Sequence, residues 1–230
     1  MFFKELRYKF KMIKFFKRLI KPRWLYLLSS SLNPISENYG RDRGRSIDRY
    51  YIEKFLFQNR KYIKGNCLEV RENVYTTKFG QDVKKSDVID INPRNKKANI
   101  IGDLRRLDLP DNSYDCIILT QVLQYIDDCP AAVAECHRIL KPKGVILVTL
   151  PFLGKVDPTA TARKDYWRFT KASAEYLFKN IYSKVETKTY GNVLSGLGFW
   201  IGLSRNDLNR DKLKYNDPNF PTIITVKATK

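Results

Sequence analysis

One histidine, His137, is all that this chain offers among its 230 residues. It lies within AECHRIL beside apolar neighbours, and it reads as a packing or surface residue of a helix, not as a general base. Cysteine is nearly as scarce: Cys67, Cys116, Cys129 and Cys136 show no Cys-x-x-Cys spacing. Histidine and cysteine therefore supply no ligand cluster, and no metal is expected. Two of the cysteines fall in predicted strands and suit small buried hydrophobes of a reduced cytoplasmic protein. No Gly-x-Gly-x-x-Gly follows any apolar strand, which argues against a dinucleotide-dependent dehydrogenase. No apolar run is long enough to span a bilayer or to form the core of a signal peptide. Internal repeats and low-complexity tracts are also missing.

Positive charge, by contrast, is abundant: 43 Lys plus Arg against 24 Asp plus Glu give a net +19. Such a surplus favours phosphates, anionic membrane surfaces or acidic glycans as partners, and it equally fits a general bias toward lysine. The first 28 residues carry nine Lys or Arg against the single acid Glu5, and Phe3, Leu6, Phe10, Ile13, Phe16 and Ile20 recur at helical spacing. Residues 1–34 thus read as a basic amphipathic appendage, broken by Pro22 and by the SSSLNP stretch. It can lie on an anionic membrane with lysines among the headgroups, or dock on its own domain with those lysines solvated. Residues 35–230 form one domain.

Within that domain, apolar strands are expected at 66–70, 87–91, 98–101, 115–120 and 145–150. A helix over 47–58 precedes them, with Ser46 as N-cap and Asp48 at its positive end. A helix over 171–180, a strand over 184–190 and a closing apolar run over 221–228 follow, the last adding an antiparallel strand. Continuous apolar strands alternating with amphipathic helices mean a parallel sheet covered on both faces, which binds ligands at the carboxyl ends of its strands. Glu69, Asp90 and Asp103 fall at or near three such ends. An acid ending the second strand, 21 residues after Glu69, suits paired ribose hydroxyls, because a carboxylate accepts two hydrogen bonds. An acid after the third strand can take the exocyclic amine of adenine.

From about residue 40 to the C-terminus this pattern resembles the class I S-adenosylmethionine-dependent methyltransferases. GDLRRLDLPDNSYDCIILTQVLQYI is similar to that family's acidic-loop and fourth-strand segment, and RILKPKGVILVTLP to its helix, turn and fifth strand. The resemblance implies an α/β fold, a Rossmann-like three-layer sandwich whose mostly parallel seven-stranded sheet has one antiparallel strand near the C-terminus. It also implies S-adenosylmethionine as cofactor, with Glu69 by its methionine portion, Asp90 on its ribose, Asp103 and Leu104 at its adenine, and Gln121 facing the methyl donor. DRGRSIDRYYIEKFL, KFGQDV, DYWRFT and the closing DPNFPTIITVKATK further resemble a subset associated with surface polysaccharide and glycan biosynthesis. That subset implies a glycan or sugar-phosphate acceptor, handled at the cytoplasmic face of a membrane.

The family's first loop runs acid-x-Gly-x-Gly-x-Gly, whereas here Glu69 is followed by VRENVYTTKFG, with Arg71 and Asn73 at the first two glycine positions. S-adenosylmethionine carries no phosphate, so it needs bare backbone amides less strictly than a dinucleotide does. The loop can wrap the cofactor, with Tyr75 stacking or Arg71 and Asn73 bonding its methionine carboxylate, or it can fill the pocket and leave a non-catalytic scaffold. Arg43, Arg45 and Arg49, with Gly40 and Gly44 allowing the backbone to bend, either bind an anion at the site mouth or form a solvated face. After the fifth strand, Tyr166 and Trp167 offer a platform for a sugar ring, and Arg168 can hold a carboxylate or phosphate. Asp165 can act as base there, with Gln121 beside the reacting methyl group. TQVL after the fourth strand lacks the Asn/Asp-Pro-Pro-aromatic loop that grips a planar amine. Nucleic acid is therefore the less expected partner, with RNA methylation kept open by the charge.

Overall fold

A computed structural model describes residues 33–157 and 164–230, so the expected N-terminal helix lies outside the described residues. The chain divides into Met1–Ile35 and Ser36–Lys230, and every described helix and strand belongs to the second unit. Its first helix, α1 (Ile47–Gln58), buries Ile47, Tyr51, Ile52, Phe55 and Leu56 along one stripe. Ser46 stands at the N-cap, but its hydroxyl donates to the Asp48 carboxylate and makes no cap bond.

The sheet has seven strands: β1 (Gly65–Val70), β2 (Val83–Asp90), β3 (Ile100–Ile101), β4 (Tyr114–Thr120), β5 (Leu140–Pro151), β6 (Lys184–Tyr190) and β7 (Ile223–Thr229). Their order is β3-β2-β1-β4-β5-β7-β6, parallel except for β7, which runs against both its neighbours. This is the expected Rossmann-like sandwich. Alternation along each strand feeds two cores. Leu68, Ile117, Leu119, Ile146 and Val148 meet one helical layer, while Cys67, Cys116, Ile118 and Leu147 meet the layer that contains α1. The four thiols are buried and unpaired.

Two strands, β2 and β5, start well before the positions expected, while β3 shrinks to Ile100–Ile101. β2 starts at Val83 because Val83, Lys85 and Ser86 pair with β1 although this polar stretch lacks an apolar signal, with Lys84 left out at a register shift. β5 starts at Leu140, directly after α3 (Cys129–Ile139), and a register shift opposite Tyr114 and Cys116 absorbs Pro142 and Gly144. Asp128 caps α3 by accepting the Ala131 N–H, with Pro130 in the first turn. Beyond β5 lie α4 (Lys171–Lys179) and α5 (Val193–Trp200), each started by a capping box, Thr170 with Ser173 and Asn192 with Ser195. A short helix, α6 (Arg210–Lys214), packs its Leu213 into the α1 layer before β7.

Candidate active site

β1, β2, β4 and β5 end at one edge of the sheet, and a cavity of about 770 Å³ opens there. Two residues at that edge turn into the left-handed region, Arg71 just beyond β1 with φ +70° and Gln121 just beyond β4 with φ +55°. Each is held by its amide, Arg71 N–H on the Ile89 carbonyl at 2.9 Å and Gln121 N–H on the Thr149 carbonyl at 2.9 Å. The turns swing the chain off the sheet and leave the strand ends open.

Glu69, Asp90, Asp103, Leu104 and Gln121 all line this cavity, as do Arg71 and Tyr75. Their free valences differ. Asp90 accepts one local bond on each oxygen, from Asn92 N–H at 3.0 Å and Asn95 Nδ2 at 2.8 Å, so each oxygen keeps a lone pair for a ligand. Asp103 is gripped by Arg105, whose Nη2 stands 2.6 Å from Oδ2 and whose Nη1 reaches on to Asp127 at 2.7 Å. Those bonds from Arg105 hold the Asp103 carboxyl below the usual carboxylate range. Glu69 is spent on the fold: it accepts Tyr75 N–H at 3.1 Å, Thr76 N–H at 2.8 Å and the Thr76 hydroxyl at 2.9 Å. Burial pushes its pKa up to about 7 in spite of those three donors.

Glu69 thereby anchors a helix, α2 (Val74–Phe79), where a loop was expected. This element lines the cavity and does not plug it. The Tyr75 ring stacks on Phe79 at 6.3 Å, and its hydroxyl takes a hydrogen bond from Arg49. Asn73 departs from its expected role: it does not line the cavity, and its amide donates to Ser86 Oγ at 3.2 Å.

The arginines before α1 separate in the same way. Arg45 and Arg49 line the cavity, Arg45 paired with Glu53 at 2.7 Å, while Arg43 is turned away onto Asp207 at 3.0 Å. Gly40 and Gly44 serve the chain itself and not a ligand, since a Cβ on Gly40 would stand 2.5 Å from the Leu203 backbone and one on Gly44 2.6 Å from Asn206.

After β5, Asp165 lines the cavity as expected, but its partners weaken it as a base. Burial would raise its pKa, but bonds from Arg168 at 2.6 and 2.8 Å and from Asp157 N–H at 3.1 Å outweigh that, and the carboxyl sits below its ordinary value. Arg168 is fully engaged by Asp165 and by the Lys155 carbonyl at 2.7 Å. Trp167 does not line the cavity, because its indole N–H holds the Ile126 carbonyl at 2.8 Å. Tyr166 does line it, with its own N–H on the Gln124 carbonyl at 2.8 Å.

Several lining residues carried no sequence expectation, among them Tyr39, Gln124, Tyr125, Lys155 and Phe199. Tyr125 donates to Asp157 at 2.9 Å, and burial together with that carboxylate lifts its pKa. Burial pushes the Tyr39 phenol up to about 12, with Asp157 and Asp165 adding to the shift. Gln124 and Tyr125 stand three and four residues after Gln121, a spacing that could have flagged them. Two buried polar atoms here have no partner, Gln121 Nε2 and Gln124 Oε1. A donor and an acceptor left unpaired beside open strand ends call for a polar ligand.

Residues 65–148 match the family described as "Methyltransferase domain". A probable S-adenosylmethionine-dependent methyltransferase of Mycolicibacterium smegmatis is 37% identical over 74 residues, 32% of this chain and 29% of that protein. A malonyl-acyl-carrier-protein O-methyltransferase of Serratia marcescens is 35% identical over 63 residues, 27% of this chain and 25% of that protein. The matched segments thus span less than a third of those relatives. A SAM-dependent methyltransferase structure from Archaeoglobus fulgidus superposes with a TM-score of 0.54 at 14% identity, over 79% of this chain and 94% of that one. Family and fold imply S-adenosylmethionine as cofactor, and the open Asp90 oxygens and unpaired glutamine atoms fit such a ligand. Residues 65–148, less than half of the chain, thus match a methyltransferase-domain family, and the sheet that holds them has the fold of a solved S-adenosylmethionine-dependent methyltransferase.

Proposed function

We propose that the chain transfers a methyl group to a hydroxyl of an anionic acceptor, a sugar in a surface glycan or in its lipid-linked or nucleotide-linked precursor. The observation that carries the methyl-transfer reading is Asp90, a carboxylate at the end of β2 that faces the cavity with one lone pair free on each oxygen. S-adenosylmethionine, when bound, supplies a methyl group on a sulfonium, ready for in-line displacement. The protein contributes position. Asp90 would hold the ribose hydroxyls, and Leu104 the adenine face beside Asp103. Gln121 Nε2 and Gln124 Oε1 supply one donor and one acceptor for orienting the two reactants.

Asp157, oriented by the Tyr125 hydroxyl, is a second carboxylate on the cavity wall beside Asp165 that can take the acceptor's proton. Support for an anionic acceptor comes from the cations along the cavity, Arg41, Lys155 and Lys164, with Lys155 Nζ 4.7 Å from the Tyr39 ring centre. The Tyr39, Tyr125 and Tyr166 rings offer surfaces on which a sugar can lie. One relative is an O-methyltransferase, which agrees with an oxygen as the acceptor atom.

Titration calorimetry with S-adenosylmethionine and with its demethylated product tests the reading. Both compounds are expected to bind, and Asp90→Ala to weaken them at least about tenfold through loss of a charged hydrogen-bond acceptor. Absence of heat with either compound would overturn it.

A further inference from the structure

α5 is built inside out. Its buried positions are Ser195, Gly196, Gly198 and Phe199, whereas Val193, Leu194, Leu197 and Trp200 are exposed by 46%, 38%, 42% and 57%. On a helical wheel the four exposed residues share one continuous face, since 193, 197 and 200 fall one turn apart and 194 lies beside them. A helix apolar on all sides belongs in a core or against lipid, and this one has a core on one side only. Gly198 explains the close docking of the inner side: a Cβ there would stand 3.2 Å from Ile47 and 3.3 Å from Leu208.

Two aromatic residues extend the exposed face. Asn192, which caps α5, donates to the Lys212 and Tyr215 carbonyls at 2.8 Å each, which ties the end of α6 to the start of α5. Tyr215 is 66% exposed there. Phe220, 54% exposed, belongs to the turn whose Asp217 N–H holds the Gly191 carbonyl at 2.8 Å. α6 adds Arg210, Lys212 and Lys214, all exposed, against Asp211, which is paired with Lys214 at 2.8 Å. Scattered apolar side chains on a surface need no explanation, but six gathered around one helix with a cationic fringe do.

The patch flanks the cavity. Phe199, the neighbour of Trp200, lines it and stacks on Tyr39 at 5.5 Å. The C-terminal end of β6, from which α5 springs, is level with Pro151 at the end of β5 through their shared partner Ile223. We propose that the outer face of α5, with Tyr215 and Phe220, docks on an anionic lipid surface. Leu197, Leu194 and Val193 enter the acyl boundary, Trp200 and Tyr215 sit at headgroup depth, and the α6 cations meet lipid phosphates. Charge complementarity selects this occupant, since the chain carries net +19 and the fringe beside the patch is basic. The inference does not depend on methyl transfer, and no helix among the described residues is long and apolar enough to cross a membrane.

The test is flotation of the full chain with vesicles of phosphatidylglycerol and phosphatidylcholine in equal parts, and with phosphatidylcholine alone. Binding is expected to the anionic vesicles, and Leu197→Glu is expected to weaken it at least about tenfold by placing a charge in the apolar contact. Brominated lipid is expected to quench the protein's fluorescence. Although the chain has three tryptophans, most of the quenching is expected to vanish in Trp200→Phe, whose vesicle binding persists. Equal binding by Leu197→Glu, or quenching unaffected by Trp200→Phe, would locate the contact elsewhere and overturn the proposal. So would a wild-type chain that floats with neither vesicle. A dimer in solution dissociated by Leu197→Glu would assign the face to a second copy and would equally overturn it.

Discussion

At 3% exposure, with three donors turned on it, Glu69 sets hydrogen bonding against burial within one carboxyl. Burial wins, and the pKa rises from 4.5 to about 7. An acid whose folded pKa lies above its unfolded value binds more protons folded than unfolded between the two, so its contribution to stability declines as pH rises through that window. The wild type is thus expected to lose stability relative to Glu69→Gln between pH 4.5 and about 7, by roughly 3 kcal/mol at most. Urea unfolding of both proteins across that range measures the difference, and parallel curves would refute it. Asp165 and Arg168 show why roles were harder to read than positions. Three apart in an irregular segment, they give no periodic signal, yet they pair with each other, which weakens Asp165 as a base. Arg43 finds Asp207, 164 residues on, a partner that local patterning cannot supply.

Among the elements, α1 and β6 were legible to the residue because long apolar stripes or clean alternation wrote them. α2 was not. VYTTKF spans only six residues, two of them threonine, and it owes its helix to a carboxylate from the preceding strand. The corner between β6 and α5 depends on Gly191, with φ +114° and with Thr222 Oγ1 only 2.2 Å from where a Cβ would lie. Gly191→Ala is expected to cost about 2–4 kcal/mol, because backbone strain and overlap with a strand both resist it. Thermal denaturation checks this. A loss under about 1 kcal/mol would mean the corner relaxes freely.

For the molecule as a whole, the mostly parallel sheet and the cavity's edge followed from the alternation of apolar strands with helices and from the acids at strand ends, whereas the strand order is seen only in the fold. The rest of the cavity wall did not follow, because Tyr39, Tyr125, Lys155 and Phe199 come from four separate segments that meet only in the folded state. If the cavity binds S-adenosylmethionine, the whole domain gains: a hundredfold excess over the Kd stabilises by about 2.7 kcal/mol, a rise in Tm of roughly 5–10 °C for a chain of this size. Differential scanning measures that rise, which Asp90→Ala, binding about tenfold more weakly, should cut by roughly half or more at the same ligand concentration. Arg71 carries a last consequence. Its φ of +70° reproduces, with an arginine, the bend that a glycine usually makes after β1, at a conformational penalty of about 1–2 kcal/mol. What that corner requires is a backbone angle and not a particular side chain, and an arginine meets it at a strain that a glycine would not carry.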